Sequence, residues 1–294
     1  MSRDGFRFDV VATPYPTTGS GPGGPSGFEG TTRPGGRAWA DDCRRFESLG
    51  FTAVLVPDTL NTPSPFPVLA AAAAATSDLH VSPWVLAAPL RSTPATVREV
   101  AALQLLSDGR FDLGLGTGRP GAEDEAAALG VPWGTPAERI EQLLDVVAAV
   151  REHLAPAPPV TVAARGRRLL TSAARVADAV AMALAPQADA SEVKAVLDVV
   201  RGVERPSGEP VEVVLQLVGA GGRLVQWIAR QTGLDAGSLA SAGAVAVLGE
   251  EKDAMVDGLL ERRELLGINR FVVPAELADV LAPVIAALPA CTTP

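Results

Sequence analysis

The reactive and ligand-binding candidates in this chain occur directly after short apolar runs that predict buried strands. Asp58 follows the run 52–56, where a carboxylate is placed for catalysis or for a hydrogen bond to a cofactor, although a turn aspartate would look the same. The run 111–115 leads into Gly116-Thr117-Gly118, whose small side chains leave backbone N–H groups open to a ligand. The next residue, Arg119, is a candidate partner for an anion.

A second group of candidates surrounds the run 160–163, which is followed by Ala164-Arg165-Gly166-Arg167-Arg168 and a predicted helix. Backbone N–H groups at a helix N-terminus, together with arginines, attract a phosphate-bearing cofactor. Three solvated arginines are the alternative interpretation. Ala87-Ala88-Pro89 follows the predicted strand 80–86, and small residues there would let a flat ring lie against the backbone.

The inventory of acids and bases is otherwise small. The two histidines, His80 and His153, stand at a predicted strand start and a predicted helix end, so neither a metal site nor a Ser-His-Asp triad is expected. Residues 116–121 match GxGxxG, but they follow the fourth predicted strand, and the acidic residues 123–125 would repel a pyrophosphate. A cofactor other than a Rossmann-bound dinucleotide is therefore expected to carry the chemistry.

The elements that position these residues alternate between strand and helix. This alternation predicts an α/β fold, a single (β/α)8 TIM barrel over residues 1–294, with an open doubly wound sheet as the alternative. A long Gly/Pro-rich loop, 13–36, follows the first strand and is predicted to be a mobile lid or disordered. The predicted strands are 6–12, 52–56, 80–86, 111–115, 160–163, 179–183, 211–218 and 270–273. The predicted helices are 38–49, 65–76, 94–106, 136–153, 167–176, 190–201, 224–232, 250–266 and 274–288.

The composition of the chain excludes some classes of binding partner. The chain has 294 residues, 47% apolar residues and a net charge of −9, which argues against nucleic acid or an anionic membrane surface. Its longest apolar run, 68–75, is too short to span a bilayer, and no secretory leader is evident, so a cytoplasmic protein is expected. Cys43 and Cys291 are predicted to be free thiols.

The segment 65–118 resembles the signature region of the luciferase-like monooxygenase superfamily, in particular its coenzyme F420-dependent oxidoreductase branch. The resemblance continues through 123–152, 158–181 and 261–273, and so covers nearly the whole chain. It implies a (β/α)8 barrel that binds F420 or FMN at its mouth, acts on a small molecule and is often a homodimer. It also implies a non-prolyl cis peptide that buttresses the cofactor ring, around Ala87-Ala88.

The chain departs from the family pattern at several of these positions. The family's Asp-His pair is Asp58-Thr59 here, and the glutamate that follows Gly-Thr-Gly in sugar-oxidising relatives is Arg119. The Gly-Gly loop after the fifth strand is only partly kept. The resemblance and the residue pattern together give as catalytic candidates Asp58, Thr59 and Arg119, and as cofactor-binding candidates Ala87, Ala88, Gly116, Thr117, Gly118, Ala163, Ala164, Arg165, Gly166 and Arg167.

The resemblance implies an F420-dependent oxidoreductase that moves a hydride between the deazaflavin and a small organic substrate. In this scheme Asp58 hydrogen-bonds the ring or orients the substrate, Trp39 or Trp133 lines the pocket, and Arg119 pairs with an anion. An FMN-dependent luciferase-like monooxygenase is the first alternative. A diverged barrel that has lost its cofactor and acts as a binding protein is the second.

Overall fold

The computed structural model describes residues 5–14, 35–205 and 208–289. Most of the predicted loop 13–36 lies outside the described residues, as does Cys291. Within the described ranges, no helix is both long enough and apolar enough to cross a membrane.

All eight predicted strands are present, but the strand predicted over 80–86 is divided. The first part ends at Pro83 and pairs with residues 53–56, and the Trp84 N–H donates to the Val56 carbonyl. The second part begins at Leu86, which pairs with Leu115, so the strand divides where its neighbour changes. The strands are β1 Arg7–Val11, β2 Ala53–Val56, β3 His80–Pro83, β4 Leu86–Ala87, β5 Leu113–Gly116, β6 Val160–Ala164, β7 Ala179–Met182, β8 Glu212–Gln216, β9 Gly219–Ala220, β10 Arg223–Leu224 and β11 Arg270–Pro274.

The predicted helices are also present, and two short ones were not predicted: α4 and α9, whose lengths of eight and six residues give little periodicity to detect. Helix α11 begins later than expected because a 3-10 turn, Ala275–Leu277, precedes it. The helices are α1 Gly36–Ser48, α2 Pro65–Ala75, α3 Thr93–Leu106, α4 Ala122–Leu129, α5 Pro136–His153, α6 Arg167–Val176, α7 Ala190–Arg201, α8 Gln226–Thr232, α9 Ala236–Ser241, α10 Lys252–Leu266 and α11 Ala278–Ile285.

Helix boundaries follow from local sequence. Thr135 caps α5 by accepting from the Glu138 N–H, while the Glu138 carboxylate accepts from the Thr135 N–H, and Pro136 opens the helix. Asp189 and Glu192 form the same reciprocal arrangement at α7. Each such capping box satisfies backbone donors that a helix N-terminus leaves unpaired.

The chain divides into two compact units. The first contains the described residues of 1–10, 48–52 and 163–294. Its strands lie in the order β1–β11–β8–β7, and β11, β8 and β7 run parallel, with Val272 opposite Gln216 and Ala181 opposite Val214. Its core includes three stacked phenylalanine rings, Phe6, Phe8 and Phe271, whose centroids are 5.7–6.3 Å apart.

The second unit contains the described residues of 11–47 and 53–162. Strand β2 pairs in parallel with β3, Val81 of β3 bridges to Phe111, and β5 pairs in parallel with β4 on one side and with residues 160–162 of β6 on the other. Helix α2 packs against β2 and β3, and α3 packs against α2 on one side and α5 on the other. Because the strands are parallel, their carboxyl ends share one edge, where ligands bind in α/β folds.

Candidate functional site

The sequence-predicted site residues divide between the two units. Asp58, Thr59, Ala87, Ala88 and residues 116–119 belong to the second unit, whereas residues 163–167 belong to the first. Within the second unit, Ala87 is the register partner of Gly116, so the predicted segments after β4 and β5 do come together at neighbouring strand ends.

Asp58 is engaged in a two-pronged ion pair that the sequence reading missed. Arg91 Nη2 donates to Asp58 Oδ1 at 3.0 Å, and Arg91 Nε donates to Oδ2 at 3.3 Å. Arg91 follows the 3-10 turn Ala88–Leu90, so the pair ties the carboxyl end of β2 to the segment after β4. Arg91 lies 33 residues after Asp58, and that spacing carries no sequence signal, because strand pairing decides which residues become neighbours.

Thr59, the residue at the family's histidine position, has its hydroxyl group occupied by a turn. The Thr59 Oγ1 accepts from the Asn61 N–H at 3.2 Å, and the Thr59 N–H donates to Thr62 Oγ1 at 3.2 Å. Such local hydroxyl-to-backbone bonds are typical of threonine in turns. In this arrangement Thr59 shapes the loop after β2.

The Gly116-Thr117-Gly118 loop is covered on one side by Trp133. A Cβ on Gly118, whose φ is +89°, would overlap Trp133 Cη2. Arg139 contacts both the indole and the loop. Its guanidinium is 4.4 Å from the centroid of the Trp133 ring, and its Nε donates to the Thr117 carbonyl at 3.1 Å. The absence of a side chain at Gly118 therefore accommodates the indole, and the contact of this loop's backbone with a ligand stays a prediction.

Trp133 and Trp39 have different surroundings. Trp133 is half-buried and packs against a small cluster formed by Ala87, Leu90 and Ala126, so it lies beside the end of β4, and its place as a wall of the site stays a prediction. Trp39 is buried in α1, where its indole N–H donates to the Val68 carbonyl at 3.0 Å. Trp39 is therefore part of the core.

Arg119 is paired within its own loop. Its guanidinium forms an ion pair with Glu125 of α4 and also donates to the Pro120 carbonyl at 3.2 Å. Glu125 is buried while Arg119 remains half-exposed. An anionic ligand would therefore compete with Glu125 for this guanidinium.

The expected position of the cis peptide was wrong. The non-prolyl cis bond joins Trp84 and Val85, three residues before Ala87-Ala88. Ala87 ends β4 and Ala88 opens the following 3-10 turn, so both alanines are nearly buried and the bonds around Pro89 are trans.

The segment after β6 contains three exposed arginines. Ala163 and Ala164 end the strand, and the Ala164 carbonyl accepts from the Ala183 N–H at 3.0 Å. Gly166, with φ of +76°, precedes α6 and has no atom within 4 Å of the place a Cβ would take. Within the part of the chain that the structure describes, no hydrogen bond or ion pair occupies the exposed side chains of Arg165, Arg167 and Arg168.

This arrangement can hold an anion. The first turn of α6 contains no acidic residue, and its backbone N–H groups point out of the helix beside Gly166. A phosphate therefore fits the donors present there. Among the described residues, no group of three His, Cys, Asp or Glu side chains is placed to bind a metal ion.

Comparison with known proteins identifies the family. The sequence model of the luciferase-like monooxygenase family matches residues 22–220. The chain belongs to this family. The resemblance seen in the sequence is thereby confirmed, and so is the expectation that the protein is an oxidoreductase enzyme.

Individual relatives include both cofactor types. An F420-dependent glucose-6-phosphate dehydrogenase from Intrasporangium calvum is 32% identical over 126 residues, which span 40% of this chain and 38% of that relative. The structure of coenzyme F420-dependent tetrahydromethanopterin reductase from Methanopyrus kandleri aligns with a TM-score of 0.66 at 15% identity, over 96% of this chain and 99% of that one. The FMN complex of 3,6-diketocamphane monooxygenase from Pseudomonas putida aligns with a TM-score of 0.67 at 12% identity, over 96% and 95%.

At these identities the structural likenesses establish the fold alone. Together with the eight predicted strands, all of which are present and alternate with helices along the chain, they confirm the predicted fold class, the (β/α)8 barrel of the luciferase type.

Proposed function

We propose that this protein is an F420-dependent oxidoreductase that transfers a hydride between the deazaflavin and a small organic substrate. The observation that carries the proposal is the set of three exposed arginines, Arg165, Arg167 and Arg168, which have no partner among the described residues and flank the open Gly166. In a chain of net charge −9 such a basic segment is an electrostatic exception. FMN offers one phosphate, whereas F420 offers a phosphate and an acidic tail, so F420 uses these charges more fully.

The proposed roles follow from the contacts of each residue. Ala163, Ala164 and the N–H groups from Arg165 to Arg167 hold the phosphate, since Gly166 leaves the backbone accessible. Within the second unit, Ala87, Ala88 and residues 116–118 offer small side chains at neighbouring strand ends and are our candidates for contact with the ring, and Trp133 packs against Gly118. When bound, the deazaflavin supplies the ring carbon that gives or takes the hydride.

The acid–base roles are limited by the ion pairs. Asp58 is a hydrogen-bond acceptor for the ring or the substrate, since its carboxylate already receives two N–H groups from Arg91. Thr59 shapes the loop beside it. Arg119, if displaced from Glu125, pairs with an anionic part of the ligand.

A titration tests the proposal. Purified protein is titrated separately with F420 and with FMN, and the fluorescence of each cofactor reports binding. We expect F420 to bind more tightly than FMN, and we expect the triple variant Arg165→Gln/Arg167→Gln/Arg168→Gln to bind F420 at least tenfold more weakly. Added salt should also weaken the binding of F420 to the wild type, because it screens the arginine charges. Arg175→Gln, on the exposed C-terminal turn of α6, is the matched control and should bind as the wild type does.

The other outcomes select the alternatives. Preferential binding of FMN, with little effect of the triple substitution, would support the FMN-dependent luciferase-like monooxygenase. Binding of neither cofactor would support a diverged barrel that acts as a binding protein. A homodimer is a further proposal from the resemblance, and a cytoplasmic location is a further proposal from the sequence. Exposed Leu105 and Leu106 at the end of α3 support an association surface, which light scattering would test.

A further inference from the structure

Arg91 has more anchors than a surface ion pair needs. Besides its two bonds to Asp58, its Nη1 donates to Glu99 Oε2 at 3.3 Å, and its guanidinium lies 5.5 Å from the centroid of the Phe66 ring. The side chains of Arg91 and Asp58 are only 22% and 11% exposed. Isolated surface pairs contribute little to stability, whereas a two-pronged pair held from several sides fixes geometry.

Asp58 is also singular in its position. It is the one carboxylate within three residues of the carboxyl ends of β2, β3, β4 and β5. A carboxylate oxygen has two lone-pair sites, so each oxygen of Asp58 keeps one site after bonding to Arg91. The planar guanidinium fork fixes the plane of the carboxylate and thereby the direction of those remaining sites.

We infer that Arg91 is a positioning residue for the cofactor site. It acts through Asp58, whose carboxylate it orients so that a free lone pair accepts a hydrogen bond from an N–H or O–H group of the bound ring. This inference rests on the proposed function. It assigns Arg91 a part in binding although Arg91 itself need not touch the cofactor.

A double-mutant cycle tests this inference. Asp58→Asn, Arg91→Gln and the double variant are titrated with F420 and with FMN, and the absorption spectrum of the bound ring is recorded. Each single substitution should raise the dissociation constant by roughly tenfold, because it removes or misdirects one hydrogen bond to a charged group. The double variant should bind no more weakly than either single variant, since Arg91 acts only through Asp58.

Two further variants separate positioning from folding. Arg91→Lys keeps the charge but lacks the fork, and should give an intermediate dissociation constant and a partial return of the wild-type spectrum. Arg98→Gln removes an exposed arginine of α3 that has no partner within the described ranges, and should match the wild type in both measurements. Thermal unfolding of each cofactor-free variant checks that the protein is folded.

The results distinguish the two proposals. If the wild type binds F420 or FMN but the double variant binds about a hundredfold more weakly, the two tenfold effects multiply. Arg91 then acts independently of Asp58, and the positioning role is rejected. A folded Arg91→Gln variant that binds with unchanged affinity and an unchanged ring spectrum rejects it as well. If the wild type binds neither cofactor, the proposed function fails, and the inference about Arg91 fails with it.

Discussion

The indole of Trp133 occupies the space into which a side chain on Gly118 would project. A Cβ at Gly118 would overlap one ring atom of Trp133 and lie 3.0 Å from Cζ3. On the same ring, the guanidinium of Arg139 is 4.4 Å from the centroid. The glycine loop after β5 is therefore held by an aromatic ring and an arginine, and its shape depends on this contact.

Gly118→Ala tests that dependence. The new methyl group must displace Trp133, so we expect a loss in the free energy of unfolding of about 1–3 kcal/mol beyond the cost of the positive φ. Gly130→Ala is the control, because Gly130 has a φ of +68° and no atom within 4 Å of its Cβ position. Urea unfolding followed by circular dichroism measures both variants. Equal losses in the two variants would show that the indole yields without cost.

A second prediction concerns the buried ion pair of the first unit. Arg270 Nε donates to Asp9 Oδ2 at 2.7 Å, and both side chains are almost completely buried. Arg270 also binds Glu212 at 3.0 Å, and Thr52 donates to Asp9 Oδ1 at 2.6 Å. Asp9→Asn leaves the Arg270 charge incompletely paired, so we expect a loss in the free energy of unfolding of about 3–5 kcal/mol.

The pH dependence of this loss has a definite sign. Burial raises the pKa of Asp9, but the charges of Arg270 and Arg7 and the hydrogen bonds from Thr52 and Arg270 outweigh it and hold that pKa below its usual value. The stabilisation from ionised Asp9 is thus complete above the unfolded-state pKa of about 3.9 and is lost as pH falls through the lower folded-state pKa.

Urea unfolding at a series of pH values should therefore show the difference between wild type and Asp9→Asn shrinking below about pH 4. Asp41→Asn is the control, because Asp41 pairs with Arg44 at the same 2.7 Å but is 75% exposed. Its effect should be close to zero. A difference between wild type and Asp9→Asn that is small at pH 7, or that grows as pH falls, would contradict this account.

Sequence patterns predicted the strands and helices better than they predicted the side-chain contacts between strand ends. Strands and helices are set by local periodicity and by residues such as Pro136 and Thr135, so their succession was readable along the chain. The pairing of Asp58 with Arg91, and of Thr117 with Arg139, depends on which strand ends become neighbours. Nothing in the spacing of those residues encodes that neighbourhood.

The glycine loop shows the same limit from another side. The Gly-Thr-Gly pattern predicts a backbone open to a ligand, and in the structure an indole lies against Gly118. Whether the group is a ligand or an indole from fifteen residues farther along depends on where the chain after α4 returns, which the pattern does not contain. The roles of Gly118 and Trp133 could be separated only in three dimensions.

A third prediction concerns Glu47, which closes the turn between α2 and β3. Its Oε1 accepts the backbone N–H groups of Ser77, Asp78 and Leu79 at 2.9, 2.7 and 2.9 Å. Partial burial raises the pKa of Glu47, but these three donors outweigh it and hold the pKa below its usual value. Glu47→Gln weakens all three bonds, and we expect a loss in the free energy of unfolding of about 1 kcal/mol, reduced by solvent screening.

The contribution of Glu47 should also depend on pH. Because its folded-state pKa is lowered, the stabilisation is present above the unfolded-state value of about 4.3 and is lost as pH falls through the folded-state value. Thermal unfolding of wild type and Glu47→Gln between pH 3 and pH 7 measures this, with Glu141→Gln on α5 as a surface control. A Glu47→Gln variant as stable as the wild type at pH 7 would show that the neutral amide serves equally well.

The last prediction concerns Cys43, whose thiol is buried in α1 between Trp39 and Phe46. Burial, assisted by the charge of Asp42, raises the pKa of this thiol to about 12. Since the thiolate is the reactive form, Cys43 should not react with a disulfide reagent at pH 8 while the protein is folded.

A Cys291→Ser background leaves Cys43 as the one remaining thiol, so labelling then reports opening of this part of the second unit. One equivalent should react in denaturant and almost none without it, at a rate that follows local or global unfolding. Rapid stoichiometric labelling of the native protein would mean that α1 detaches readily, and that the contact between Trp39 and the Val68 carbonyl does not hold it closed.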